Sequence, residues 1–254
     1  MTKTVILAGG KGTRLRPYTV LFPKPLVPLG DRPILEVVLR QLASEGFLDV
    51  TLCVGHLSNL IMAYFGDGSG LDTGTHITYQ HEDHPLGTAG PIAPCEGLTD
   101  PTLVLNGDVL TDMSFAAFVE QHQTSGAALS VAAARRDIPI DLGVLDFTPD
   151  GALQAYTEKP TLHYWSSMGI YAYSARALGS LVPGQRLDVP DLVQRLMSAG
   201  EAVHVVPWEG YYQDIGRPED YEAATEAAAR GHLSLAPTPG PAYSDKREDV
   251  EWRT

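Results

Sequence analysis

The chain has 254 residues, 44% of them apolar, and a formal net charge of -13. That length and apolar share support one large α/β domain, or a domain with a small subdomain. The acidic balance and the lack of a bilayer-length apolar run argue against a nucleic-acid or membrane partner.

The first predicted element is a buried strand, Thr4–Ala8, running into Gly9-Gly10-Lys11-Gly12-Thr13-Arg14. The glycines cut the apolar run short, which is unlike a signal peptide. A helix is expected over Ile34–Glu45, then a strand over Val50–Val54 that buries Cys53. Cys53 and Cys95 form no spaced metal or disulfide pattern, in keeping with an expected cytoplasmic protein. Further along come a helix over Asn59–Phe65, a strand over Ile77–Tyr79, a short helix near Thr88–Cys95 and a strand over Thr102–Leu105. Ser114 reads as the N-cap of a helix reaching Thr124 and ended by Gly126. Strands alternating with helices imply a mostly parallel sheet covered on both faces.

The middle of the chain changes character. Leu129–Ala134, Gly143–Phe147, Leu153–Tyr156 and Met168–Tyr173 are short strand candidates with few helices between, which suggests a small antiparallel extension on the parallel core. Helices return at Ser174–Leu181, Val189–Ala199 and Pro218–Arg230, with Pro190 in a first turn. No internal repeat is visible. The expected division is a catalytic domain over 1–230 and a Pro-rich, then charged, tail over 231–254.

Residues 1–30 hold Lys3, Lys11, Arg14, Arg16 and Lys24 and no acid, a local charge of +5 that leaves -18 for the remainder. A strand, a Gly-rich turn and fixed cations form a way to hold phosphates. The turn is neither a Walker loop, since Gly12 follows Lys11, nor a dinucleotide fingerprint, since Leu15 stands where a third Gly is required. Asp108 follows the strand Thr102–Leu105, at the edge where open α/β sheets bind ligands; Asn106-Gly107 also reads as a plain turn with a solvated Asp. Asp112 reads as surface. His81 and His84 lack zinc-site spacing and cysteine partners.

The run from Leu7 to Pro28, including Pro23-Lys24-Pro25, resembles the signature of the sugar-1-phosphate nucleotidyltransferases, or NDP-sugar pyrophosphorylases. Segments near 82–91, 105–108, 158–160 and 214–221 extend the resemblance, in order, over residues 1 to about 230. It implies a Rossmann-like, GT-A-like fold in which the antiparallel extension covers a sugar site. It implies an NTP and a sugar 1-phosphate as partners, with Mg²⁺ as cofactor and self-association left open. Leu7, Ala8, Gly9, Gly10, Lys11, Gly12, Thr13 and Arg14, with Glu82, Gly87, Thr88 and Asp108, match nucleotide-binding positions. Lys24, Gly143, Glu158, Lys159, Ser167 and Gly169 match sugar-phosphate positions. Asp108 and Asp214 match the metal ligands, and Arg14, Lys24, Asp108, Lys159 and Asp214 the catalytic set.

Glu82 bears on the base, because a carboxylate can accept from both N1–H and the exocyclic amine of guanine. Uracil and thymine offer one donor there, flanked by acceptors. The spelling Leu86-Gly87-Thr88-Ala89-Gly90 also resembles guanylyltransferases, so GTP is favoured and mannose, heptose or a related sugar is expected. A uridylyl-, thymidylyl- or cytidylyltransferase, or a non-catalytic sugar-nucleotide sensor, stands as the alternative. A glycosyltransferase with Asp-x-Asp is disfavoured, since Leu110 stands where the second acid is needed. One departure is Ser167-Met168-Gly169, where the family usually has Asn-Ala-Gly.

Overall fold

A computed structural model describes residues 2–230; the tail expected over 231–254 lies outside the described residues. The first half holds β1 (Lys3–Leu7), the short β2 (Pro28–Leu29) and β3 (Arg32–Pro33), α1 (Ile34–Ser44), β4 (Asp49–Val54), α2 (Ser58–Phe65) and β5 (His76–His81). There follow β6 (Thr102–Asn106), β7 (Val109–Thr111), α3 (Phe115–Ser125), β8 (Leu129–Pro139), β9 (Val144–Phe147), β10 (Leu153–Thr157) and β11 (Thr161–Tyr173). The described part ends with α4 (Ala175–Leu178), α5 (Val189–Ser198), β12 (Val203–Trp208), β13 (Tyr212–Asp214) and α6 (Pro218–Ala229).

Seven strands form one sheet in the order β12-β8-β11-β6-β1-β4-β5. The pairs β6–β1, β1–β4, β4–β5 and β12–β8 are parallel, and β11 runs antiparallel to both β6 and β8. Buried parallel strands read as continuous apolar runs because both faces are covered. Here successive residues serve opposite cores. Ile6, Leu52, Leu103 and Leu105 pack with α1 and α3. Val5, Cys53 and Val104 pack with α4 and α5. α1 places Ile34, Leu35, Val38, Leu39 and Leu42 on its buried stripe, the spacing a sheet-covering helix requires.

The caps are as expected. Ser114 Oγ accepts from Ala117 N at 3.2 Å, and Gly126 ends α3 in the left-handed region with φ 62°. Pro190 lies in the first turn of α5.

Four expectations need correction. The short helix near Thr88–Cys95 is only a 3-10 turn, Gly90–Ile92, because Gly90, Pro91 and Pro94 leave no room for a regular helix. β8 and β11 run far beyond Leu129–Ala134 and Met168–Tyr173, since their outer halves are exposed and lose the apolar signal. β12 was not expected at all: it is an edge strand with His204 and Val205 exposed and Pro207 interrupting its run. Asp112 is half-buried and accepts from Trp208 Nε1 at 3.0 Å. The thiols of Cys53 and Cys95, distant in sequence, lie 3.7 Å apart in the core. No helix among the described residues is long and apolar enough to cross a membrane.

Candidate active site

The site is built where β1, β4 and β6 end. Ala8 N donates to Cys53 O at 2.8 Å, so the Gly-rich turn stays tied to the sheet one residue past β1. Gly10 faces open space and Lys11 is exposed. Gly12 takes φ 58°, and the Thr19 hydroxyl donates to its carbonyl at 2.7 Å. Thr13, Arg14 and Leu15 form a 3-10 turn anchored by the buried Leu15, which leaves Arg14 exposed.

Gly9 sits close against Glu82. A Cβ there would stand 2.5 Å from Glu82 Oε1. Glu82 lies just past β5, half-buried, and its Oε2 accepts from Leu86 N at 3.2 Å. Burial raises its carboxyl above the ordinary value, against the lowering effect of that Leu86 bond and of His84. The Gly-rich turn and the Glu82 carboxylate are thus packed face to face.

The rest of the 82–90 segment is clamped by α5. A Cβ on Gly87, at φ 83°, would stand 2.5 Å from Leu187 O. Thr88 N donates to Asp188 Oδ1 at 3.1 Å, and Thr88 Oγ1 accepts from Val189 N at 2.9 Å. The Thr88 hydroxyl therefore serves the start of α5.

Asp108 and Asp214 are 106 residues apart and meet through one ladder. β13 pairs antiparallel with β7, placing Asp214 opposite Val109, and Ile215 N donates to Asp108 O at 3.2 Å. Lys24 Nζ bonds Asp108 Oδ2 and lies 3.9 Å from Asp214 Oδ1. Asp108 Oδ1 is buried and has no hydrogen-bond partner among the described residues. Arg14 Nη1 comes within 3.7 Å of where a Gly216 side chain would start. Asp214 is raised above its ordinary carboxyl value, first by burial and then by the charge of Asp108, with Lys24 and Arg14 opposing.

Two carboxylates with an unsatisfied oxygen are a hard-oxygen donor set. Mg²⁺ is held in nucleotide sites by one or two carboxylates plus phosphate oxygens, so the residues present fit a divalent cation. No cluster of three or more His, Cys, Asp or Glu with metal-site geometry exists among the described residues.

Asp220 and Gln213 are missed by motif reading. Asp220 Oδ2 accepts from Gly216 N at 3.2 Å and Arg217 N at 2.8 Å, and Oδ1 from Gln213 Nε2 at 3.2 Å. Asp220 therefore fixes the turn that carries Asp214. The available signal is a helix start at Arg217-Pro218-Glu219 with an acid at the third helical position. Arg136 is the other omission. Its guanidinium lies 4.8 Å from the centre of the Tyr212 ring, beside a cleft of about 530 Å³ that Trp208 and Tyr212 also line.

On the antiparallel extension, Gly143 lies against the ring end of Tyr156, whose hydroxyl donates to Glu158 Oε2 at 3.0 Å. Lys159 is exposed at φ 44° and forms no ion pair with any described residue. Ser167 Oγ lies 3.1 Å from Tyr171 Oη and accepts from Gly169 N at 3.3 Å. The strand is irregular between Ser167 and Tyr171, and Gly169 at φ 73° leaves room for the Asn106 amide. Lys3 does not join the other early cations: it is buried and paired with Asp49 at 2.5 Å.

The Gly-rich turn, Lys24 and the two carboxylates thus meet at one edge of the sheet. The model of one family, described as "Nucleotidyl transferase", matches residues 3–231, and the chain belongs to that family. A mannose-1-phosphate guanylyltransferase of Mycobacterium tuberculosis is 32% identical, over 92% of this chain and 66% of that protein. A mannose-1-phosphate guanyltransferase of Debaryomyces hansenii is 30% identical, over 88% and 63%. The chain thus spans just under two thirds of the length of these curated relatives. Among solved structures, a putative glucose-1-phosphate thymidylyltransferase of Bacillus anthracis superposes with TM-score 0.71 at 25% identity, over 90% of this chain and 95% of that one. HddC of Yersinia pseudotuberculosis gives TM-score 0.70 at 25% identity, over 90% and 100%.

Proposed function

We propose that the chain transfers a nucleotidyl group from an NTP, with GTP favoured, to a sugar 1-phosphate and releases pyrophosphate. The observation that carries this reading is the convergence of Asp108, Asp214 and Lys24 beside the Gly-rich turn, with Asp108 Oδ1 unpartnered. Two carboxylates with a free oxygen are suited to hold a divalent cation beside phosphate oxygens, and family membership supports the reading.

The sugar phosphate attacks the α-phosphorus in line. Its oxygen is already anionic at neutral pH, the second phosphate pKa being about 6, so no side chain need remove a proton. The protein's work is then orientation and charge neutralisation. Mg²⁺ held by Asp108 and Asp214 would supply Lewis-acid stabilisation of the phosphate oxygens. Arg14 stabilises charge growing on the leaving pyrophosphate. Lys24 is placed to exchange its carboxylate partner for a phosphate oxygen of the substrate. Lys159 and Glu158, with Gly143, receive the sugar phosphate from the antiparallel extension. Mannose 1-phosphate and GTP are the first pair to test, because the relatives named above are mannose-1-phosphate guanylyltransferases.

Glu82 supports the base preference. Its carboxylate lies against Gly9, with Oε2 accepting from Leu86 N, and a carboxylate is able to accept from both guanine donors. The Glu82→Gln variant is expected to lose GTP preference and gain use of UTP or dTTP, measured as kcat/KM for each. An unchanged ratio removes Glu82 from base reading. The wider reading is tested with Asp108→Asn. Turnover is expected to fall by roughly a hundredfold or more with the fold intact by circular dichroism. Near-normal turnover at saturating Mg²⁺ removes Asp108 from the site.

A further inference from the structure

Arg136 is a half-buried cation without an acid. It rests on the Tyr212 ring and forms no ion pair or hydrogen bond with any described residue. The register of β8 explains why. Successive residues of a strand take opposite faces, and directly opposed residues share one. Arg135 and Asp137 stand opposite Trp165 and His163 of β11, and Asp137 meets Arg135 at 3.3 Å and His163 at 2.6 Å. The charges on that face answer one another. Arg136 lies on the other face, opposite Tyr164 and one alternation beyond the buried Ala134. With Trp208, Gly210 and Tyr212 it lines the cleft of about 530 Å³. Asp112, the acid beside Trp208, accepts from its Nε1 at 3.0 Å, and Glu209 of the same cleft is exposed and pairs with neither arginine.

The cleft shares its edge of the sheet with the catalytic acids. β11 runs antiparallel to both β6 and β8, so the end of β8 that carries Arg136 points the same way as the end of β6 that precedes Asp108. Tyr212 stands two residues before Asp214 on β13, a step of about 7 Å along one face. Burial raises the Tyr212 hydroxyl, Asp214 raises it further and Arg136 opposes, so the ring stands within reach of both charges. A half-buried guanidinium without an acid is costly, and stacking on an aromatic ring offsets only part of that cost. We propose that Arg136 is a specificity-determining residue that binds a carboxylate on the sugar, so that the preferred acceptor is a uronic acid 1-phosphate. This rests on the nucleotidyl-transfer reading and names the class of its acceptor. With the phosphate at Asp108, Asp214 and Lys24, the sugar ring extends along Tyr212 and its far substituent meets Arg136. The planar fork of Arg matches a carboxylate with two parallel hydrogen bonds. The hydroxymethyl group of a neutral hexose offers one oxygen and leaves the charge unanswered. A carboxylate suits the cleft better than a second phosphate, because Arg135 is engaged by Asp137 and one guanidinium remains.

The test compares acceptors that differ only at that group: mannose 1-phosphate with mannuronic acid 1-phosphate, and glucose 1-phosphate with glucuronic acid 1-phosphate. Each is given with Mg²⁺ and either GTP or UTP, and kcat/KM is read from pyrophosphate release. The native protein is expected to favour the uronate by roughly tenfold or more in at least one pair. Arg136→Gln is expected to remove that preference, and Arg136→Lys to restore part of it. The ratio within a pair is insensitive to a variant that merely folds less well, since both members then fall alike. Arg135→Gln is expected to leave the ratio as it is. Turnover of the hexose with no preference for its uronate overturns the proposal and leaves nucleotidyl transfer standing. So does a preference that survives Arg136→Gln. Calorimetric binding of the same acceptors keeps the two readings apart. Tighter binding of the uronate that Arg136→Gln abolishes, without turnover of any acceptor, supports the role of Arg136 and counts against nucleotidyl transfer. Equal binding of hexose and uronate 1-phosphates counts against Arg136.

Discussion

Asp214 is the residue whose placement has the most measurable cost. Burial and the neighbouring Asp108 raise its carboxyl, and Lys24 and Arg14 only partly oppose them. The folded protein then holds this proton to higher pH than the unfolded chain, where an Asp titrates near about 3.9. The stabilisation this brings is complete below that unfolded value and is lost as pH rises through the folded one. Asp214→Asn removes the loss. The variant should melt higher than the native protein at neutral pH, with the difference shrinking as pH is lowered, while turnover is abolished. Thermal unfolding across pH checks this, and equal melting at every pH would refute the assignment of a half-buried, charged Asp214. Thr88 gives the opposite contrast. Its hydroxyl accepts from Val189 N at the start of α5. Thr88→Val should cost about 1 kcal/mol in urea unfolding, because the lost contact is a helix cap.

At the scale of elements, the parallel core was legible because its strands are buried on both faces, and β1, β4 and β6 fall within a residue or two of the expected spans. The outer halves of β8 and β11 were not, because exposed strands carry no apolar period to read. The same division runs through the site. Asp108 could be placed from the strand before it, whereas nothing local to Asp214 tells that β13 pairs with β7 and brings the two acids together. Pairing across a hundred residues is a tertiary fact. Asp220 belongs to that tertiary layer, since it holds the turn that Asp214 begins. Asp220→Ala is expected to raise the metal concentration for half-maximal Mn²⁺ binding about tenfold or more, read by electron paramagnetic resonance, and Asp220→Asn to restore part of it. Unaltered Mn²⁺ binding in Asp220→Ala would reduce Asp220 to a helix cap. Gly169 is a second such position: at φ 73° beside the Asn106 amide, Gly169→Ala should cost about 2 kcal/mol or more in denaturant unfolding.

For the whole molecule, the early cations and the late acids make sense as one site at one edge of the sheet. The acid-free first thirty residues deliver Arg14 and Lys24 to that edge, and Lys3, the first residue of β1, pairs with Asp49 at the far end. The two acids that Lys24 meets come from β6–β7 and from β13, so the site exists only when both ends of the described chain are folded together. On the proposed function, this edge joins a nucleotide to a sugar 1-phosphate. Phosphorus-31 NMR of the protein with GTP, a sugar 1-phosphate and Mg²⁺ tests it directly. Pyrophosphate and a sugar-nucleotide diphosphate should appear together at equal rates, and neither should form when the sugar 1-phosphate is omitted. Orthophosphate release from GTP alone, or no conversion with any pairing of the common NTPs and hexose or heptose 1-phosphates, would contradict it.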